Sequence, residues 1–130
     1  MKVLLDTQVW IWMRNAPGRF SAKARRVLTD ERNELVLSAA TAWEIATKVS
    51  LGKLRLPCSV REFVASRAAA TRVSPLPITQ LHAIESAELP QHHRDPFDRM
   101  LVAQARVEGV SLMSNDEVFE AYDVKVFWAT

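Results

Sequence analysis

The chain has 130 residues and a formal net charge of +2, and its 48% hydrophobic and 25% charged residues are typical of one soluble globular domain. These values exclude a disordered chain, and no stretch approaches the roughly 20 apolar residues of a membrane span. The apolar start of the chain reaches a charge at Asp6, too early for a signal peptide, and the lone Cys58 cannot form an internal disulfide. We therefore expect a cytoplasmic protein without a membrane segment.

The first half of the chain alternates between short apolar runs and segments with helical spacing. In chain order we predict a strand at Lys2–Leu5, a helix at Thr7–Met13, a helix at Ala22–Thr29, a strand at Leu35–Leu37 and a helix at Ala39–Val49. Ser21 and Ser38 precede two of these helices and can cap them, because a serine hydroxyl accepts a hydrogen bond from a free amide of the first turn. Gly52 is a natural end for the last of these helices.

The second half is divided by prolines into shorter elements. We predict a helix at Val60–Ala70, a short strand between Val73 and Leu76, a helix from Ile78 to Glu88, a helix at Phe97–Glu108, a strand at Val110–Met113, a short helix at Glu117–Ala121 and a strand at Val124–Phe127. Asp95-Pro96 is the strongest helix start, since it combines a capping acid with proline at the first helical position. The alternation predicts one α/β domain over residues 1–130, with a parallel sheet covered by helices on both faces.

Two carboxylates directly follow buried strands. Asp6 comes after the first strand, and Asp116 follows the Val110–Met113 strand after Ser114-Asn115. Ligands of open parallel sheets bind beyond the carboxyl ends of the strands, so both acids are placed for chemistry. Each also has a simpler interpretation, as the N-cap of the helix that comes after it.

Two further carboxylates lie near the starts of helices. Glu44 is one turn into its helix, where pairing with Lys48 at i+4 would be worth only about 0.3–0.5 kcal/mol. Asp98 is the third helical residue after the Asp95 cap, which leaves its side chain free for another role. The alternative for Asp98 is a capping function beside Asp95, with Arg94 or Arg99 as its ion-pair partner.

Together these four acids predict a metal site on one edge of the sheet. Converging carboxylates raise each other's pKa values, and a hard divalent cation such as Mg²⁺ or Mn²⁺ relieves that conflict. Thr7, Ser38 and Ser114 lie beside the acids and are candidates to hold a water or a phosphate oxygen, although helix capping explains them equally well. The histidines and Cys58 lack the ligand spacing of a zinc site, and we expect His92-His93 in an exposed loop.

The remaining charge distribution favours a polyanionic substrate. Sequestering four acids leaves 17 basic residues against 11 acidic ones on the rest of the surface (15 − 4 = 11). No acid lies between Asp6 and Asp30, a stretch that contains Arg14, Arg19, Lys23, Arg25 and Arg26. This pattern suits a substrate bound by its phosphates, and a solvated helix face is the alternative.

The chain resembles the PIN-domain family, specifically the VapC-like toxins of type II toxin–antitoxin systems. The matching segments are Leu4-Leu5-Asp6-Thr7, Ser38-Ala39-Ala40-Thr41-Ala42-Trp43-Glu44-Ile45, Lys48 to Leu54, His93-Arg94-Asp95-Pro96-Phe97-Asp98-Arg99 and Ser114-Asn115-Asp116. By this match Asp6, Glu44 and Asp98 correspond to three core acids, and Asp116 to a fourth, more variable one. Gln8 stands where close relatives often carry His, and Ser114 where Thr is common.

The resemblance implies a three-layer α/β/α sandwich with a sheet of four or five parallel strands. It also implies an endoribonuclease dependent on Mg²⁺ or Mn²⁺, which hydrolyses RNA phosphodiester bonds with metal-activated water. A cognate antitoxin would bind over the active site, and homodimers are usual. Arg14, Lys48 and Arg99 are candidates for RNA contacts near the site.

Two other functions are alternatives to that of a ribonuclease. A catalytically inactive PIN-fold module, which only binds an antitoxin or RNA, predicts loss of the acidic set, whereas all four acids are present. A phosphoacceptor signalling domain would need paired acids after the first strand and an aspartate after the middle strand. Here Asp6 is followed by Thr7-Gln8, and the region around Val73 and Leu76 has no aspartate.

Overall fold

A computed structural model describes residues 1–130 and confirms the α/β architecture, with five strands and six α-helices. The strands are β1 (Lys2–Leu5), β2 (Glu34–Ser38), β3 (Ser74–Leu76), β4 (Ser111–Ser114) and β5 (Val126–Trp128). The helices are α1 (Thr7–Asn15), α2 (Ala22–Thr29), α3 (Ala39–Ser50), α4 (Val60–Thr71), α5 (Gln80–Glu88) and α6 (Pro96–Glu108). Two 3₁₀ turns lie at Pro17–Arg19 and Glu117–Ala121. None of the helices combines the length and hydropathy that crossing a lipid bilayer would require.

The strands form one sheet in the order β3-β2-β1-β4-β5, with all neighbours parallel. The chain builds outward from β1 to β3 and then returns to add β4 and β5 on the other side. The strand order therefore reverses at β1, and in open sheets this is where ligands bind. Asp6 follows β1 at that point and donates its backbone amide to Met113 O of β4.

The two faces of the sheet pack against different helices. Alternate residues of β1 enter separate cores: Val3 and Leu5 pack with Trp10 and Phe63, and Leu4 packs with residues of α6. Seven consecutive residues of α6, from Arg99 to Ala105, are buried. This burial fixes the first turn of α6 relative to the sheet.

The predicted elements differ from the observed ones mainly at their ends. β4 begins at Ser111 because the amide of Val110 still bonds to Ala105 O in the turn that ends α6. β5 begins at Val126 because Val124 forms a turn with Tyr122. Arg72 ends α4 in a left-handed conformation (φ 57°), which glycine usually provides and the sequence did not reveal.

Candidate metal centre

A cavity of about 680 Å³ opens at the carboxyl edge of the sheet, and six of its 13 lining residues are acidic. The structure brings all four predicted acids to this cavity and adds two more. The acidic lining residues are Asp6, Glu44, Asp95, Asp98, Asp116 and Glu117. Lys48 is the only basic residue of the lining.

Asp6 is held by a hydroxyl of the neighbouring strand. Ser114 Oγ donates a hydrogen bond of 2.7 Å to Asp6 Oδ2 and accepts one from the amide of Asp116 at 3.0 Å. Although Asp6 precedes α1, its side chain makes no capping hydrogen bond. The capping interpretation of Asp6 was therefore wrong, and its carboxylate faces the cavity while only 7% exposed.

The pKa of Asp6 reflects this burial. Burial raises the pKa from its ordinary value of 3.8 to about 6, and the charges of Glu44 and Asp116 raise it as well. The hydrogen bond from Ser114 opposes the rise, because it stabilises the ionised form. The cavity therefore holds a carboxylate that lacks a sufficient positive counter-charge.

Asp98 is free of the capping role because Asp95 performs it. Asp95 Oδ1 accepts hydrogen bonds from the amides of Phe97 (2.8 Å) and Asp98 (3.1 Å). Asp98 Oδ2 lies 2.8 Å from His93 Nε2. Burial raises the pKa of Asp98 from 3.8 to about 7; the charges of Asp95 and Asp6 add to the rise, and the hydrogen bond with His93 opposes it.

His93 is a site residue that sequence reasoning missed. The histidine was expected in an exposed loop, but its side chain is only 30% exposed because the loop turns back onto the first turn of α6. Ligand atoms of His93, Asp95 and Asp98 lie within 4.8 Å of one another, so they could hold a metal ion. The only sequence signal was its position five residues before Asp98.

Glu44 enters the cavity and also pairs with Lys48. Lys48 Nζ lies 2.5 Å from Glu44 Oε2, with the two side chains 46% and 10% exposed. The hydrogen bond with Glu44 raises the pKa of Lys48 most, and the charges of Glu44, Asp95 and Asp98 contribute as well. Glu44 therefore forms the predicted ion pair with Lys48 and also lines the cavity.

Asp116 is the most exposed of the four predicted acids. Its Oδ1 caps the 3₁₀ turn by accepting a hydrogen bond from the amide of Val118 at 3.0 Å. The capping interpretation of Asp116 was therefore correct, and the residue still lines the cavity. The charge of Asp116 contributes to the raised pKa of Asp6.

The donor set fits a hard divalent cation. Its oxygen ligands come from carboxylates on two strand ends and two helices, and the pKa values of Asp6 and Asp98 are raised, so bound positive charge would stabilise both ionised forms. Asp6, Glu44 and Asp116 line the cavity without joining the tight group around Asp98.

The predicted hydroxyl residues have separate positions. Thr7 lines the cavity, and its hydroxyl bonds to that of Thr41 at 2.9 Å, which connects α1 to α3. Ser38 is buried, donates to Gln104 Oε1 and caps α3 through the amide of Ala40. The expectation that Ser38 could hold a water or phosphate oxygen was wrong, because the protein already uses its donor and an acceptor position.

Arg99 and Arg14 do not lie at the cavity. The Arg99 guanidinium is buried and donates to the carbonyl oxygens of four residues, namely Ser86, Leu89, Pro90 and His93. Its expected placement at the site was wrong because those carbonyls, in the last turn of α5 and in the loop before α6, accept its hydrogen bonds. Arg99 instead holds the loop that presents His93. Arg14 lines a different surface cleft with Thr29 and Arg72.

A zinc site built from Cys58 and the three histidines finds no support in the geometry. His82 Nδ1 accepts from the amide of Thr79 at 3.0 Å, and His82 Nε2 lies 3.1 Å from Glu108. Cys58 is exposed and belongs to no group of three metal-binding side chains. Gln8 is exposed at the cavity lining and makes no hydrogen bond with Asp6.

Comparison with known proteins adds three findings. The family model described as the PIN domain matches residues 3–125. A 60-residue segment is 40% identical to Ribonuclease VapC16 of Mycobacterium tuberculosis; the match covers 46% of this chain and 43% of that relative, less than half of its length.

Solved structures share the fold across the whole chain. The VapBC2 structure from Rickettsia felis, bound to a promoter DNA fragment, aligns with a TM-score of 0.72, 16% identity and 100% of both chains. The DNA-bound VapBC structure from Salmonella typhimurium aligns with a TM-score of 0.70, 18% identity and 98% of both chains. At these identities the similarity describes the fold alone.

Proposed function

The chain belongs to the PIN-domain family, and from that premise we propose that it is a metal-dependent endoribonuclease, the toxin component of a type II toxin–antitoxin system. The observation that carries this proposal is the cavity into which Asp6, Glu44, Asp98 and Asp116 converge. The similarity to a ribonuclease supports the same reaction class. We further propose that residues 1–130 form a single PIN domain.

These four carboxylates would hold Mg²⁺ or Mn²⁺. When bound, the metal supplies Lewis acidity, which activates water and stabilises the charge that develops on a phosphodiester. The family resemblance and the hard oxygen ligands both favour these two cations over a softer metal. Asp6 and Asp98 are the principal ligands in this proposal, since Asp6 is buried, Asp98 is partly buried, and both carry raised pKa values.

The surrounding residues orient the acids. Ser114 donates a hydrogen bond that fixes one oxygen of Asp6. Asp95 accepts hydrogen bonds from the first amides of α6, which leaves the carboxylate of Asp98 free of the capping role. The Thr7–Thr41 hydrogen bond holds the start of α1 against α3, which carries Glu44. Positioning of this kind supports catalysis because reacting groups then need little reorganisation.

RNA is the proposed substrate, and the part of the basic stretch around Ser21 lies where it could help to bind RNA. The amide of Ser21, at the start of α2, donates to Ala129 O just beyond β5, at the same edge of the sheet as the cavity. Arg19 and Lys23 flank this point in the sequence. Basic residues at the same edge of the sheet as the acidic cavity suit a phosphate backbone that passes over it.

A cognate antitoxin and a second copy of the chain are the other proposed partners. The solved structures that share this fold are described as VapBC complexes, and an antitoxin that covers the cavity would block its access to RNA. Homodimers are usual in the family. Size-exclusion chromatography with light scattering, on the chain alone and with the product of a neighbouring short reading frame, tests both partners.

Cleavage of RNA tests the proposed activity. We expect total RNA to be cut by the chain with Mg²⁺ or Mn²⁺, and not with EDTA or by Asp6→Asn. Asp30→Asn is the matched control, because Asp30 is partly exposed, pairs with Arg32 and lies outside the cavity. Equal cleavage by wild type and Asp6→Asn would contradict the site assignment. A folded protein that binds metal but leaves every RNA uncut would favour the catalytically inactive binding module.

A further inference from the structure

Lys48 is the one positive side chain in a cavity lined by six acids. Its ammonium contacts Glu44 and lies near the charges of Asp95 and Asp98, so it faces carboxylates of both α3 and α6. No other basic side chain of the chain shares this position.

The two arginines beside the acids of α6 do not substitute for Lys48. The Arg99 guanidinium donates its hydrogen bonds to backbone carbonyls in the last turn of α5 and in the loop before α6. Arg94 is exposed and forms no ion pair. Lys48 is therefore the one lysine or arginine among the acids of this cavity, and His93 is the other partner, at 2.8 Å from Asp98.

We infer that Lys48 is the resident counter-ion of the acidic cavity and competes with the divalent cation for Glu44. This inference rests on the proposed function, because it assumes that the cavity takes a metal. Lys48 is thus a positioning residue: its charge holds Glu44 in the metal-free protein and sets the metal concentration at which the site fills. An ordinary exposed i, i+4 pair would have no such effect, since it only weakly stabilises its own helix.

The charge of Lys48 should weaken binding of the divalent cation. A positive charge close to the site repels an entering cation and must leave Glu44 before that carboxylate can bind it. Lys48→Met keeps the aliphatic stem and removes the charge, so the variant should bind metal more tightly while its metal-free form is less stable. Lys48→Arg keeps the charge and should behave as the wild type does.

Calorimetric titration with Mn²⁺ tests the inference at fixed pH and ionic strength. We expect Lys48→Met to bind Mn²⁺ roughly threefold to tenfold more tightly than the wild type, because one unit of repelling charge is removed. Lys125→Met is the matched control, since this exposed lysine lies in a cleft with Met1 and Val124, apart from the acidic cavity. In EDTA we expect a lower unfolding midpoint for Lys48→Met and an unchanged one for Lys48→Arg.

The outcomes separate this inference from the proposed function. If the wild type binds Mn²⁺ and Lys48→Met binds it equally or more weakly, the competition is refuted and the metal site stands. If the wild type binds no Mn²⁺, the metal site and the competition both fail. An unchanged midpoint of Lys48→Met in EDTA would refute the counter-ion role in either case.

Discussion

Asp6→Asn should stabilise the metal-free protein while it abolishes metal binding. Asp6 is 7% exposed, and its pKa is raised from 3.8 to about 6, so the ionised carboxylate destabilises the fold. A pKa shift of this size corresponds to about 3 kcal/mol at pH 8, since each unit is worth about 1.4 kcal/mol. Asparagine keeps the acceptor for Ser114 Oγ and removes the charge.

The pH dependence of this gain identifies its cause. The folded pKa of Asp6 lies above the unfolded one, so the folded state holds the proton more tightly, and the cost of ionisation accumulates as pH rises from about 4 to about 6. The increase in the free energy of unfolding caused by Asp6→Asn should therefore be largest at pH 7–8 and fall below about 1 kcal/mol at pH 4.

Thermal unfolding in EDTA, followed by circular dichroism, measures the effect. For a domain of this size we expect the midpoint of Asp6→Asn to rise by up to roughly 10 °C at pH 8. Millimolar Mg²⁺ or Mn²⁺ should raise the wild-type midpoint and leave that of the variant unchanged. Asp30→Asn, the control, should show no rise, because hydrogen bonds from Arg32 hold the pKa of Asp30 at about 2. A lower midpoint for Asp6→Asn at pH 8 would refute the reasoning.

Three further predictions follow from the same contacts. Arg99→Met should lower the free energy of unfolding by about 2–4 kcal/mol, because it leaves buried carbonyls unpaired; chemical denaturation checks this, with exposed Arg94→Met as a near-neutral control. Ser114→Ala should weaken Mn²⁺ binding in calorimetry and cost about 1–2 kcal/mol of stability, since Asp6 loses a hydrogen bond; unchanged affinity would argue against its orienting role. The metal-free wild type should lose stability as pH rises from about 4 to about 7, because the raised pKa values of Asp6 and Asp98 make the folded state bind more protons than the unfolded state in this range. Saturating Mg²⁺ should remove that loss of stability.

The strand-end acids could be predicted because a parallel sheet brings the carboxyl ends of its strands to one edge. Asp6 and Asp116 follow β1 and β4, which pair directly, so a correct strand assignment already placed them together. Asp98 followed from the Asp95-Pro96 helix start, since only one acid is needed for the cap. The alternation of strands and helices, and with it the parallel sheet, followed from the periodic pattern, whereas the strand order came only from the structure.

The loop between α5 and α6 could not be predicted in the same way. Its path depends on a buried guanidinium, that of Arg99, which binds carbonyls across the loop, and no periodicity signals such a contact. His92 and His93 do lie in the expected loop, but His93 is only partly exposed and pairs with Asp98, and Arg99 is buried away from the cavity instead of lying at the site. Ser38 shows the same limit, because its partner Gln104 is 66 residues away.

Glu44 shows a different limit of sequence reasoning. Its pairing with Lys48 and its place in the cavity were treated as alternatives, because spacing along one helix cannot reveal what faces that helix. The structure shows both at once, with Asp95 and Asp98 of α6 near the same lysine.

Metal occupancy and RNA cleavage measured on the same samples test the central claim most directly. Across a Mn²⁺ titration, with Mn²⁺ binding followed by electron paramagnetic resonance, cleavage of one defined RNA should rise with occupancy of the site. Asp98→Asn should lose both signals, and the exposed control Asp123→Asn should keep both. Cleavage that persists in EDTA, or Asp98→Asn that cuts RNA as the wild type does, would contradict the account.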